Sequence, residues 1–133
     1  MSQHVTLTPA QREFLAGRHY AVVGTLNADG SIQQTVVWYM LDGDQIRFSV
    51  GAGSVKAANL RRLPTISLTV EDGPRYLTLS GRAAVEPADP ALRLALATRY
   101  LGPEKAPAWV ARRPDAPRAS VRMTITRAYG QGV

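Results

Sequence analysis

The chain has 133 residues and no cysteine. No disulfide can staple it, and no thiolate is available as nucleophile or metal ligand. A reducing, cytoplasmic setting fits that absence. Histidine is nearly absent too, with only His4 and His19. His4 lies by the N-terminus, and His19 ends the first expected helix, where a cation is favoured; both read as structural. No His/Cys/Asp/Glu set has metal-ligand spacing, so no metal is expected. No apolar run is long enough to span a membrane, and residues 1–6 lack a signal-peptide pattern. Gly51-Ala-Gly53 begins a dinucleotide fingerprint, but Lys56 occupies the third glycine position. There is no Gly-Lys-Ser/Thr of a P-loop and no Gly-x-Ser-x-Gly elbow. Asp42 and Asp44 read as turn formers.

What is present is positive charge and regular alternation. The net charge is +6, and 14 of the 16 basic residues are arginine. From Lys105 onward six basic residues (Lys105, Arg112, Arg113, Arg118, Arg122, Arg127) face one acid, Asp115. Such an excess attracts nucleic acid or a small polyanion. No helix-turn-helix, zinc-finger or aromatic RNA-binding pattern accompanies it, so nucleic acid is not the expected partner. The hydrophobic share of 45% is too high for disorder. The length suits a single domain over residues 1–133.

Thr8-Pro9-Ala-Gln11 predicts a capped helix ending near Gly17. β-branched and aromatic runs predict strands over residues 20–26, 33–40 and 45–50, separated by the turns at Gly30 and Gly43. Ile46 and Phe48 share one face of the third strand; Arg47 and Ser49 share the other. Two further strands follow over residues 65–70 and 75–85, the second with a bulge or bend at Gly81. A helix is expected from Ala88 through Tyr100, and a short helix within the Pro- and Arg-rich residues 104–116. Residues 119–127 alternate as a last strand. These signals predict a mainly β chain: six antiparallel strands closing a small barrel, with a few short helices.

The stretch from Ser49 to Pro64 stands apart. It leaves a strand, passes two glycines and opens a helix at Ser54, a good N-cap. Lys56 then sits in the first turn, where the helix end is itself partly positive. An anion held by Ser54, Lys56 and backbone N–H groups would relieve that conflict. Lys56, Asn59 and Arg62 recur on one helix face. The same spacing also fits a solvated basic helix after a flexible loop, so spacing by itself leaves both readings open. An anion site without an evident acid, base or nucleophile points to a binder, or to chemistry carried by a cofactor.

The run from Phe48 to Pro64 resembles the phosphate-binding region of the split β-barrel flavin- and deazaflavin-dependent oxidoreductases, the pyridoxamine 5′-phosphate oxidase-like superfamily. Phe14-Leu15, the hairpin from Ala21 to Gly30, residues 33–39 and the Tyr76–Val85 strand match its pattern in order. The resemblance implies a homodimer of split barrels with cofactor sites at the interface. The Asn-Leu-Arg-Arg-Leu-Pro ending is most similar to the actinobacterial group using coenzyme F420, including F420H2-dependent reductases of biliverdin. By that likeness Ser54, Lys56 and Asn59 hold the phosphate tail, with Ser49 and Arg62 as further cofactor-binding candidates. Val36, Val37 and Trp38 line the ring, and Tyr76 comes from the partner subunit or the pocket wall. Relatives carry further basic residues near Ser54 and Ala58 that this chain lacks; Arg62 or a C-terminal arginine would have to compensate. The implied activity is hydride transfer from reduced F420 to a small electron-poor planar molecule, an enone, quinone or bilin. Trp38, Tyr39, Tyr76 and Trp109 are candidates to stack on it. The other readings are an FMN-dependent oxidase or reductase on the same fold, and a non-catalytic binder of flavin, haem or tetrapyrrole.

Overall fold

The first helix begins as its sequence dictates. The Thr8 hydroxyl accepts the Gln11 N–H at 3.1 Å, and the Gln11 side chain accepts the Thr8 N–H at 2.9 Å. This reciprocal box satisfies two N–H groups that have no partner within the helix. A computed structural model of the protein describes residues 4–112 and 117–133. Arg113 and Asp115 of the basic C-terminal part lie outside them.

Among the described residues the helices are α1 (Pro9–Ala16), α2 (Val55–Arg62), α3 (Pro90–Leu101) and α4 (Ala106–Ala111). The strands are β1 (Ala21–Leu26), β2 (Ile32–Val37), β3 (Met40–Asp42), β4 (Gln45–Gly51), β5 (Thr65–Asp72), β6 (Arg75–Pro87) and β7 (Arg118–Gln131). The expected short helix among residues 104–116 is α4, and the last strand runs well beyond residues 119–127 at its C-terminal end.

The six-stranded closed barrel is corrected. Seven strands form one antiparallel sheet in the order β2-β1-β5-β6-β7-β4-β3, and it is unclosed. The reason lies in the strand expected over residues 33–40. Val37 ends β2, paired opposite Ala21 of β1, while Met40 begins β3, paired opposite Arg47 of β4. Trp38 and Tyr39 belong to neither ladder, so one run of chain supplies both edges of the sheet.

Alternation sorts the side chains as the period of two requires. Val23, Leu68, Leu79, Met123 and Ile46 are fully buried on one face, with Leu15 of α1 and Ala57 of α2 in the same core. Leu92, Leu96 and Tyr100 of α3 form a smaller cluster with Trp38 and Met40. Asp89 caps α3, its carboxylate accepting the Leu92 N–H at 3.1 Å. Two N–H donors to that carboxylate and the Arg47 guanidinium hold its pKa below the usual value.

The bend in β6 is where the sequence puts it. Its register against β7 shifts between Ser80 and Gly81. A Cβ at Gly81 would fall 1.9 Å from the Thr124 carbonyl oxygen, a backbone atom with no room to yield. Gly81→Ala should therefore destabilise the protein by roughly 2–3 kcal/mol, at the upper end of overpacking costs. Urea unfolding measures this; an unchanged midpoint would show that the two strands can part there.

Candidate cofactor cleft

The break at Trp38, the end of β4 and the start of β7 meet around one cleft of about 310 Å³. Such a volume lies at the small end of ligand sites. Val36, Val37 and Trp38 make one wall. Ser49, Val50 and Gly51 of β4 make the floor, joined by Lys56 of α2 and Arg118 of β7. Arg93 and Leu96 of α3 and Trp109 of α4 complete it.

The polar corner is built by sheet register. Ser49 stands opposite Ser120 and Gly51 opposite Arg118 in the β4–β7 ladder. Arg118 Nη2 donates to Ser49 Oγ at 2.9 Å. The loop after β4 is tied down, the Ala52 N–H donating to the Pro117 carbonyl at 2.9 Å and Arg61 donating to the Ala52 carbonyl at 2.7 Å. Ser54 caps α2, its hydroxyl accepting the Ala57 N–H at 3.2 Å. That places Lys56 against Arg118. Burial, and then the nearby Arg118 charge, lower the Lys56 pKa from its ordinary 10.5. The ionisable groups lining the cleft among the described residues are Lys56, Arg93 and Arg118, all cationic. A corner with two adjacent cations, a hydroxyl and no carboxylate is suited to a phosphate or carboxylate.

The expected site residues divide. Val36, Val37, Trp38, Ser49 and Lys56 all line the cleft. Ser54 acts on it through the helix cap. Asn59 and Arg62 are held elsewhere. Asn59 is 4% exposed; its Nδ2 donates to Thr25 Oγ1 at 3.0 Å and to Asn27 Oδ1 at 2.9 Å. Arg62 donates to Asn59 Oδ1 at 3.2 Å and to the Leu26 carbonyl. Together they lock α2 onto the β1–β2 hairpin. The helical period that aligned them with Lys56 spans enough of a turn for the inner end of that face to meet β1 instead. Tyr76, the second residue of β6, lies opposite Glu71 and Gln131, outside the cleft lining.

Of the candidate stacking rings, Trp38 and Trp109 line the cleft, with centroids 5.0 Å apart. Tyr39 is fully buried, and its hydroxyl donates to the Leu15 carbonyl at 2.7 Å. Burial pushes its pKa up to about 12. Of the two compensating candidates, Arg62 is held by Asn59 and the Leu26 carbonyl, while Arg118 is the C-terminal arginine that the β4–β7 register brings to the cleft. Arg93 carried no signal, being one arginine among several on an amphipathic helix.

Residues 7–132 match the family described as pyridoxamine 5′-phosphate oxidase. The chain belongs to that family. It is 35% identical over 122 residues to an F420H2-dependent biliverdin reductase of Mycobacterium tuberculosis, covering 88% of this chain and 82% of the relative. A solved structure described as an F420 reductase superposes with a TM-score of 0.78 at 26% identity, over 92% of this chain and 98% of that one. A conserved hypothetical protein of Mycobacterium tuberculosis gives 0.79 at 26% identity, over 98% and 89%. The match bears out the resemblance of the Phe48–Pro64 run.

The lowered Lys56 pKa has a definite sign. Between the folded value and 10.5 the unfolded chain binds more protons at this lysine, so the contribution of this group to ligand-free stability rises with pH across that window. Lys56→Met should raise the thermal midpoint of the ligand-free protein at neutral pH and flatten that alkaline rise. Melting curves of both proteins as a function of pH test it; an identical slope in the variant assigns the rise to another group.

Proposed function

We propose that this protein is an F420H2-dependent reductase acting on a small, electron-poor planar molecule such as an enone, quinone or bilin. One observation carries the reading: Ser49, Lys56 and Arg118 converge at a cleft whose wall is Val36-Val37-Trp38. A phosphate fits the polar corner, and a flat ring fits beside the valine and indole wall. The biliverdin reductase relative supports F420 as the cofactor and an oxidoreductase as the class.

When bound, the reduced deazaflavin supplies a hydride. The rest falls to the chain. Lys56 and Arg118 hold the anionic tail, with Ser49 oriented by the hydrogen bond from Arg118. Val36, Val37 and Trp38 fix the plane of the ring, which converts a bimolecular encounter into a positioned one. Leu96 and Trp109 exclude water from the apolar side. Because the described lining has no carboxylic acid or imidazole, solvent is the proton source for the reduced product.

We further propose a homodimer that completes the cleft. Val22, Ile32 and Val36 point outward from β1 and β2 and are 38%, 69% and 64% exposed. Val22 pairs with Val36 on one side and Thr69 on the other, giving an apolar, low-relief face. Exposed apolar patches of this kind mark interfaces. Val36 belongs both to this face and to the cleft wall, so a second copy seated there would wall the cofactor in.

Side-by-side calorimetric titrations with F420 and FMN test the cofactor. F420 should bind at micromolar levels or better, and Lys56→Ala should weaken it by about 10- to 100-fold, the cost of one charge-assisted contact. Preferential FMN binding moves the protein to the flavin-dependent reading. Tight F420 binding with no hydride transfer to enones, quinones, nitroaromatics or bilins favours a carrier.

Sedimentation tests the assembly. The wild type should be a dimer, and Val22→Arg should yield monomers with weakened F420 binding. A Val22→Arg dimer of unchanged affinity removes this face from the interface.

A further inference from the structure

The cleft wall depends on a place where the sheet lets go of the chain. At Trp38-Tyr39 the backbone has left β1 and has not yet reached β4. A buried peptide group there needs a partner from elsewhere. Tyr100, near the end of α3, supplies it: its hydroxyl oxygen accepts the Tyr39 N–H at 3.2 Å and donates to the His19 carbonyl at 2.5 Å. The Tyr100 ring also stacks on Trp38, with centroids 5.1 Å apart and planes 4° from parallel. One side chain thus grips both the break in the backbone and the indole that lines the cleft. The next residue back is itself anchored: Arg99 donates to the carbonyls of Leu15, Ala16 and Gly17 at 3.0–3.1 Å and 2.7 Å, so the end of α3 is held against α1.

We propose that Tyr100 is a positioning residue for the cofactor ring. Its hydroxyl sets where β2 ends and its ring sets the plane of Trp38, although Tyr100 does not itself line the cleft. This rests on reading the cleft as a deazaflavin or flavin site. Packing alone does not require the hydroxyl, since a phenylalanine would fill the same stack.

Tyr100→Phe in the full-length protein isolates that hydroxyl, and Leu79→Ala, in the main core and outside the cleft lining, is the stability control. The readouts are the exciton couplet of Trp38 and Trp109 in circular dichroism, the thermal midpoint, and affinity for F420 and FMN. Tyr100→Phe should alter the couplet and weaken the bound cofactor by about threefold to tenfold, the span of one lost hydrogen bond. Leu79→Ala should lower the midpoint and leave couplet and affinity near wild type. An unchanged couplet in Tyr100→Phe overturns the proposal. So does an equal affinity loss in Leu79→Ala, which reduces Tyr100 to a purely structural role. If the wild type binds neither cofactor, the proposed function fails, and a positioning role toward the ring fails with it. The couplet then reports only whether the hydroxyl holds Trp38.

Discussion

Ser49 and Arg118 are 69 positions apart in the chain, and the β4–β7 ladder brings them to one hydrogen bond. The polar corner of Ser49, Lys56 and Arg118 depends on that pairing. It sets Gly51 opposite Arg118, and the Ala52 N–H bond to the Pro117 carbonyl then fixes the loop that leads into α2. With the loop fixed, the Ser54 cap decides where Lys56 points. A slip of one residue in this ladder would turn Arg118 to the opposite face. The two cations would then no longer share a corner.

Lys56 is partly buried and crowded against Arg118. Bringing like charges together with partial burial carries an energetic cost. The depressed Lys56 pKa is the trace of that cost in the ligand-free protein. The same physics separates Lys56 from Asn59 and Arg62. Those two have partners within the fold, from the β1–β2 hairpin, and so serve to hold α2 rather than a ligand.

The apolar side of the cleft follows a different logic. A continuous strand over residues 33–40 would have presented Trp38 as one more alternating side chain. The break instead frees its backbone from both ladders, and α3 takes over with Leu92, Leu96 and Tyr100. The apolar wall of the cleft is therefore made by helix-to-strand packing, while the polar corner is made by strand pairing. Gly81 lets the long β6–β7 pair bend without a clash, which keeps both halves of the sheet around a common core.

Local signals were legible in the sequence wherever the cause was local. The Thr8–Gln11 box, the Ser54 cap, the alternation of Ile46 and Phe48, and the special position of Gly81 each follow from neighbouring residues, and each is present. The motif from Phe48 to Pro64 was enough to suggest the family. What the sequence could not decide was which polar residues meet. Asn59 carries the same spacing signal as Lys56 yet is consumed by Thr25 and Asn27, because helix period says which residues share a face but not what that face meets. Arg118 is one of six basic residues in the C-terminal part, and only a ladder between distant strands brings it to the cleft. The split of residues 33–40 into β2 and β3 was likewise invisible, because an unbroken strand and a strand that changes partners have the same alternation; only the packing of Tyr100 beneath Trp38 distinguishes them. The sequence alone determined most of the elements and the Ser54-capped start of α2; tertiary structure chose their partners, because contacts between distant segments depend on register and packing that no local pattern encodes.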